Sequence, residues 1–253
     1  MACMDKKQIH ICLFCIFMLS IALSLANAFY FDPILDPDSI GYMRMAKYIS
    51  SGNVDKACQI RPEVPMLYQY ILSLGIDMGF SPELFGRFLS IICGALLVYL
   101  VFFMSRFFLD DKFSLIASLL FVCNPLIIES SSSVLRGTFA LFMMGVSVYF
   151  LLSASKKFRI YKYLLAGLFA GICAQIRISG LEIIAFIPLY ICLSFIFYKK
   201  YDQFSYYKNI FFGFIIFLLA FLVIALPIQY YFGSHGSIYT IFLGHKLLDI
   251  YLI

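Results

Sequence analysis

Asp36-Pro37-Asp38-Ser39-Ile40-Gly41-Tyr42-Met43-Arg44-Met45-Ala46-Lys47-Tyr48-Ile49-Ser50-Ser51-Gly52 directly follows the first long apolar run of the chain. The spacing predicts a helix over residues 38–51. Tyr42, Met45, Ala46 and Ile49 recur on one helical face, while Arg44 and Lys47 fall off it. Pro37 suits the first helical turn, Asp36 before it is an N-cap, and Asp38 is favoured by the positive end of the helix dipole. Gly52 is a natural stop. Such a helix lies in a membrane interface, with its acids held just above the apolar layer. Asp38, ahead of Asp36, is the candidate catalytic base. An ordinary capped interfacial helix without chemistry would show the same spacing.

Working outward, the whole chain is apolar. Its 253 residues are 63% hydrophobic and 13% charged. A soluble domain carries roughly 25% charged residues, so the expected fold is all-α: a polytopic transmembrane helical bundle. The formal charge of +5 reads as topology bias and affinity for anionic lipid, and nucleic acid is not an expected partner. Trp is absent, and Tyr30, Tyr161, Tyr163, Tyr198, Tyr201, Tyr230 and Tyr231 stand near the ends of apolar runs as an interfacial belt. Most of the eight cysteines lie inside apolar runs as small hydrophobes. Cys12 and Cys15 form a C-x-x-C within a span and lack the companion ligands of a metal site. Cys58 is the one cysteine expected to meet solvent, and no disulfide framework is implied.

The first apolar run, Ile11–Ala28, ends in Ala26-Asn27-Ala28, as a cleavable signal peptide can. An uncleaved first helix is the preferred reading, because the run approaches the ~20 residues that cross a bilayer. Further spans are expected at Leu84–Ser105, Phe113–Ile128, Val134–Ser153, Tyr161–Ile176, Leu181–Phe197 and Ile210–Gln229, about seven in all. Residues 31–87 form the first outer loop, and the segment from Leu67 towards Phe80, interrupted by Gly75 and Asp77, reads as re-entrant or interfacial. The chain as a whole, 1–253, reads as a single transmembrane domain. With the N-terminus cytoplasmic, 11 of the 19 Lys and Arg fall in short inner loops, as the positive-inside rule requires. The long first outer loop is cation-rich against that bias, which an anionic ligand would explain; long loops also escape the rule.

Ionisable residues at membrane depth are costly and point to function. Arg87 opens the second span. Glu129 and Arg136 flank the run Ser130–Ser133. Arg177 and Glu182 bracket Ser179-Gly180. All share the outer face with Asp36, Asp38 and Arg61 in this orientation. The chain has no P-loop, dinucleotide fingerprint, H-E-x-x-H or G-x-S-x-G. Its substrate is therefore expected to arrive through the membrane. No cofactor is called for; a divalent cation would need convergent carboxylates, for which only Asp36, Asp38 and Glu129 offer themselves.

The order of these features resembles the GT-C superfamily of integral-membrane glycosyltransferases, in the branch of the protein O-mannosyltransferases and aminoarabinose transferases (glycosyltransferase family 39). The resemblance runs from about Asp36 to Pro188. It rests on Asp38, Tyr42 and Gly52, then Arg61-Pro62 through Leu67-Tyr68, then Phe85-Gly86-Arg87. Asn124-Pro125-Leu126 leading to Arg136, and Gly167, Gly171, Arg177 and Gly180, complete it.

The resemblance implies an inverting transfer from a polyprenyl-phosphate sugar donor to a protein, lipid or glycan acceptor on the outer or periplasmic face. Asp38 would be the base. Arg61, Arg177 and Arg136 would bind phosphate, and Asp36, Tyr42, Arg87 and Glu129 would complete the substrate site. Relatives carry an acid where this chain reads Arg136-Gly137-Thr138, and they are longer. A compact member, an inactive fragment and a chain completed by a membrane partner with further helices all fit that length. A non-catalytic scaffold or a lipid-linked-sugar flippase is the alternative. A carrier needs polar groups through the midplane, whereas the charges here gather at one face.

Overall fold

The computed structural model describes residues 5–31, 36–156, 158–184 and 203–235. Among them the chain is helical and has no strand, as an apolar membrane protein must be if its backbone groups are to pair internally. Among the described residues four helices are long and apolar enough to cross a membrane, and a fifth span is formed if one bent pair counts as one. The part of the expected span Leu181–Phe197 beyond Ile184 lies outside the described residues. So do the tail after His235, Cys3 and Cys192.

The chain packs as two compact units. The first contains α1 (Lys6–Ala26), α2 (Pro37–Ser50), α3 (Val54–Ile60), α4 (Leu67–Asp77), α5 (Pro82–Ser105), α6 (Asp111–Val122) and α7 (Pro125–Ser132). It also includes the start of α8 (Arg136–Lys156). Leu13 of α1, Val98 and Phe102 of α5, and Leu115 and Val122 of α6 form one buried cluster. The capping signals of α2 act as expected. The Asp36 carboxylate accepts the Asp38 backbone N–H at 2.7 Å, Pro37 occupies the first turn, and Gly52 follows the helix at φ +78°. Tyr42, Met45, Ala46 and Ile49 are all buried. The helix packs chiefly on α4, with α3 and α5 beside it. Its apolar face is thus covered by protein. The Ser50 hydroxyl, donating to the Asp77 carboxylate, ties the far ends of α2 and α4.

Two further elements differ from their sequence reading. Gly75 does not interrupt α4; a Cβ there would overlap the ring of Phe85, so glycine lets α5 approach, and the helix ends at Asp77, with Gly79 at φ +87° in the turn that follows. The expected span Phe113–Ile128 is broken, α6 and α7 meeting at 60°. Pro125 cannot continue a helix, and the Asn124 side chain caps the new one by accepting the Leu126 N–H at 3.0 Å. Ser130 to Ser132 then continue as helix, with Ser132 and Ser133 hydroxyls donating back to the Glu129 carbonyl.

The second unit contains the rest of α8, α9 (Ile160–Ile176), the 3-10 turn Ile178–Leu181 and α10 (Gln203–Ser234). Ala166, Ala170 and Ala174 make a small-residue stripe on α9 that receives Phe217, Phe221 and Ala225 of α10. Small residues let membrane helices approach closely, where dispersion contacts rather than water drive association. At Gly167 a Cβ would overlap the Phe217 carbonyl oxygen, a backbone atom that cannot rotate away. Gly167→Ala is therefore expected to cost about 1–3 kcal/mol of overpacking, read as a lowered thermal midpoint of the full chain in detergent.

Candidate active site

The N-terminal turn of α2 fixes the two carboxylates differently. Asp36 is the cap, and its side chain is engaged by the helix backbone. Asp38, two residues on, is released from capping and reaches Arg61, whose Nη1 stands 2.7 Å from its Oδ1. Arg61 follows the last residue of α3, 23 positions further along the chain. Its guanidinium lies across Gly41, where a Cβ would stand 3.5 Å from Nε. A Cβ at position 41 would be in ordinary van der Waals contact with that arm. Both partners remain partly open, at 31% for Arg61 and 48% for Asp38, so a ligand can reach them.

Tyr42 lies under this pair and is buried. The Arg61 and Arg136 guanidinium carbons lie 5.8 and 5.6 Å from its ring centre, within cation–π range. The edge-on ring of Tyr68 from α4 packs against it, with centroids 5.9 Å apart. Burial raises the Tyr42 phenol above its ordinary range; Arg136 and Arg61 pull it back, and Asp38 adds to the rise. The ring is therefore a neutral platform at neutral pH. A carboxylate, a phenol and two guanidiniums are thus gathered in the first unit. Such a set can accept a proton and hold an anionic group beside it.

The other candidates have surroundings of their own. Arg87 is buried and engaged: Nε donates to Glu83 at 3.1 Å, and Nη1 to the carbonyls of Ala28 and Ser132, each at 3.1 Å. Its surroundings are those of a structural tie. Glu129 is exposed on α7, its carbonyl holding the Ser132 and Ser133 hydroxyls. Arg177 belongs to the second unit, where it is exposed and ends α9; its N–H donates to the Cys173 carbonyl at 2.8 Å. Gly180 follows it closely packed on the Ala174 backbone, which explains the tight turn there. Gly41 and Tyr68 belong to the cluster but were not among the sequence candidates. The signal for Gly41 was present, a lone glycine within an otherwise well-formed helix. Among the described residues no group of three His, Cys, Asp or Glu side chains could hold a metal ion.

Cys58 corrects its sequence reading. It is fully buried, because α3 turns Ala57 and Cys58 inward. Burial, with a smaller contribution from Asp55, pushes its thiol up to about 11.

A chain that is helical among the described residues, with apolar helices long enough to cross a membrane, is consistent with an all-α membrane bundle. A family model described as dolichyl-phosphate-mannose-protein mannosyltransferase matches residues 63–231, about two thirds of the chain. The chain belongs to this family and is a membrane glycosyltransferase of the GT-C type. The matched segment begins after Arg61, so Asp36, Asp38, Tyr42 and Arg61 precede it, while Arg87, Glu129, Arg136 and Arg177 fall inside. A comparison with curated proteins finds no match.

Two outcomes test this geometry. Arg87→Gln should destabilise the full chain by on the order of 3 kcal/mol, since it removes charged hydrogen bonds to buried carbonyls; thermal unfolding in detergent reads it. Cys58 should resist iodoacetamide at pH 8, where roughly one thiol in a thousand is ionised. Its labelling should rise only towards pH 11 or on unfolding, as followed by mass spectrometry.

Proposed function

We propose that this chain moves a sugar from a polyprenyl-phosphate-linked donor to a hydroxyl of a protein, lipid or glycan acceptor on the outer or periplasmic face, with inversion. The observation that carries the proposal is the 2.7 Å approach of Arg61 to Asp38, with Arg136 on the same tyrosine. Asp38 takes the proton of the acceptor hydroxyl as its oxygen attacks the anomeric carbon. The bond from that carbon to the phosphate oxygen breaks, and the phosphate leaves with the electron pair. Arg61, and Arg136 beside it, stabilise the charge that grows on that oxygen, a task suited to guanidinium. Arg177 remains a further phosphate-binding candidate. The family's name supports a lipid-phosphate sugar as donor. Positive-inside bias supports the orientation, with the N-terminus cytoplasmic.

Magnitudes separate the chemical role of Asp38 from a structural one. An exposed ion pair contributes at most about 1 kcal/mol, and capping rests on Asp36, so Asp38→Asn should leave the thermal midpoint nearly unchanged. Loss of a general base should lower transfer by about 10²–10⁴-fold. Arg61→Gln should lower it by about 10²–10³-fold, as removal of one stabilising donor does. Labelled polyprenyl-phosphate sugars supplied to the purified chain in lipid give the readout. Undiminished transfer by Asp38→Asn would remove the assignment.

A further inference from the structure

The face of α2 away from Tyr42 carries a second feature. Ile40, Met43, Arg44 and Lys47 line a groove of about 460 Å³ together with Ser81 and Glu83 at the start of α5. At 100° per residue these α2 positions lie roughly opposite Tyr42 and Ile49, so the groove is separate from the Asp38–Arg61 pair. Arg44 and Lys47 are exposed and hold no ion pair among the described residues. The carboxylate in the wall, Glu83, is engaged by Arg87 at 3.1 Å. The groove is therefore positive, and the N-terminal dipole end of α5 adds to that sign.

Its other walls are apolar. Ile40 is 47% exposed. The exposed face of α5 begins at Ser81 in the groove and continues one turn at a time through Leu84, Phe88, Ile92 and Leu96, between buried and half-buried residues. At 24 residues, α5 is about 36 Å long against a hydrocarbon core of about 30 Å. Its first turn thus reaches headgroup depth, and the stripe below it runs at chain depth. A positive groove with room for a lipid headgroup, above an apolar track that is exposed among the described residues, is complementary to one class of molecule. We infer that the groove binds an anionic phospholipid, with its phosphate between Arg44 and Lys47 and an acyl chain along Leu84, Phe88, Ile92 and Leu96. The assignment is independent of the sugar-transfer reading.

The test uses the purified full chain in neutral detergent, offered equal amounts of phosphatidylglycerol and phosphatidylcholine, with retained lipid counted by native mass spectrometry. Phosphatidylglycerol should be retained preferentially. Each basic residue near an anionic lipid contributes to binding, so Arg44→Gln and Lys47→Gln should each weaken retention about fivefold, and the double variant about thirtyfold. Both residues are exposed, and circular dichroism checks that the helices persist; the single variants decide if the double one unfolds. Equal retention of the two lipids, or unchanged retention in the variants, overturns the proposal. Displacement by millimolar inorganic phosphate would show a free-anion site instead. Displacement by polyprenyl phosphate at lower concentration than phosphatidylglycerol, lost in Arg44→Gln and kept in Arg61→Gln, would show a donor site; either result overturns it.

Discussion

A buried guanidinium holds the first unit together. Arg87 enters from α5 and donates from one nitrogen to the carbonyl of Ala28, beyond the end of α1, and to that of Ser132, at the end of α7. An unpaired charge at that depth would be prohibitive, and carbonyls left bare in an apolar surround would be nearly so. Each therefore requires the other. The Asn27 amide adds a bond to the Ser132 hydroxyl at 2.7 Å, so the ends of α1 and α7 are also joined directly. From this knot α7 hands over, four residues later, to Arg136. The position of the second guanidinium at Tyr42 thus follows from a tie made below it.

The cluster above the knot works by division of labour. Asp36 satisfies the first turn of α2, and Asp38 is freed for other chemistry. Tyr42 and Tyr68, packed edge to face, form a rigid neutral floor for two cations that would otherwise repel each other. A guanidinium over an aromatic face keeps its charge while part of its hydration is replaced by the ring. It remains able to turn toward an arriving phosphate. An exposed pair such as Arg61 and Asp38 contributes little to stability; its arrangement makes better sense as preorganisation for a ligand than as a brace for the fold.

Helix α2 separates two positive surfaces. One, with Arg61 and Arg136, contains a carboxylate and an aromatic floor. The other, with Arg44 and Lys47, contains apolar walls and opens toward the exposed stripe of α5. The difference in surroundings suits the same kind of charge to the two uses proposed above. A carboxylate beside the cations suits proton transfer, whereas a bare apolar track beside them suits a lipid that stays.

Much of this was legible locally. The cap at Asp36, the proline in the first turn, the glycine stop and the apolar face of α2 are read from residues a few positions apart, and the structure reproduces them. The same holds for the long apolar helix α5, whereas the break at Asn124-Pro125 cut what was expected as the single span Phe113–Ile128. What was not legible depends on neighbours distant in sequence. Cys58 seemed open because its segment is polar, yet α3 packs it inward. Gly75 looked like an interruption until the ring of Phe85 filled its place. Spacing along α2 could nominate two acids but could not tell which would meet Arg61, because that choice is made by the turn through Gly52 and α3. The sequence by itself therefore determined helix type, length and capping, which depend on backbone hydrogen bonds within a few residues. Only the tertiary structure decided which charges share a site and which are buried ties, because Coulomb and packing forces act through space, and chain order alone does not set those distances.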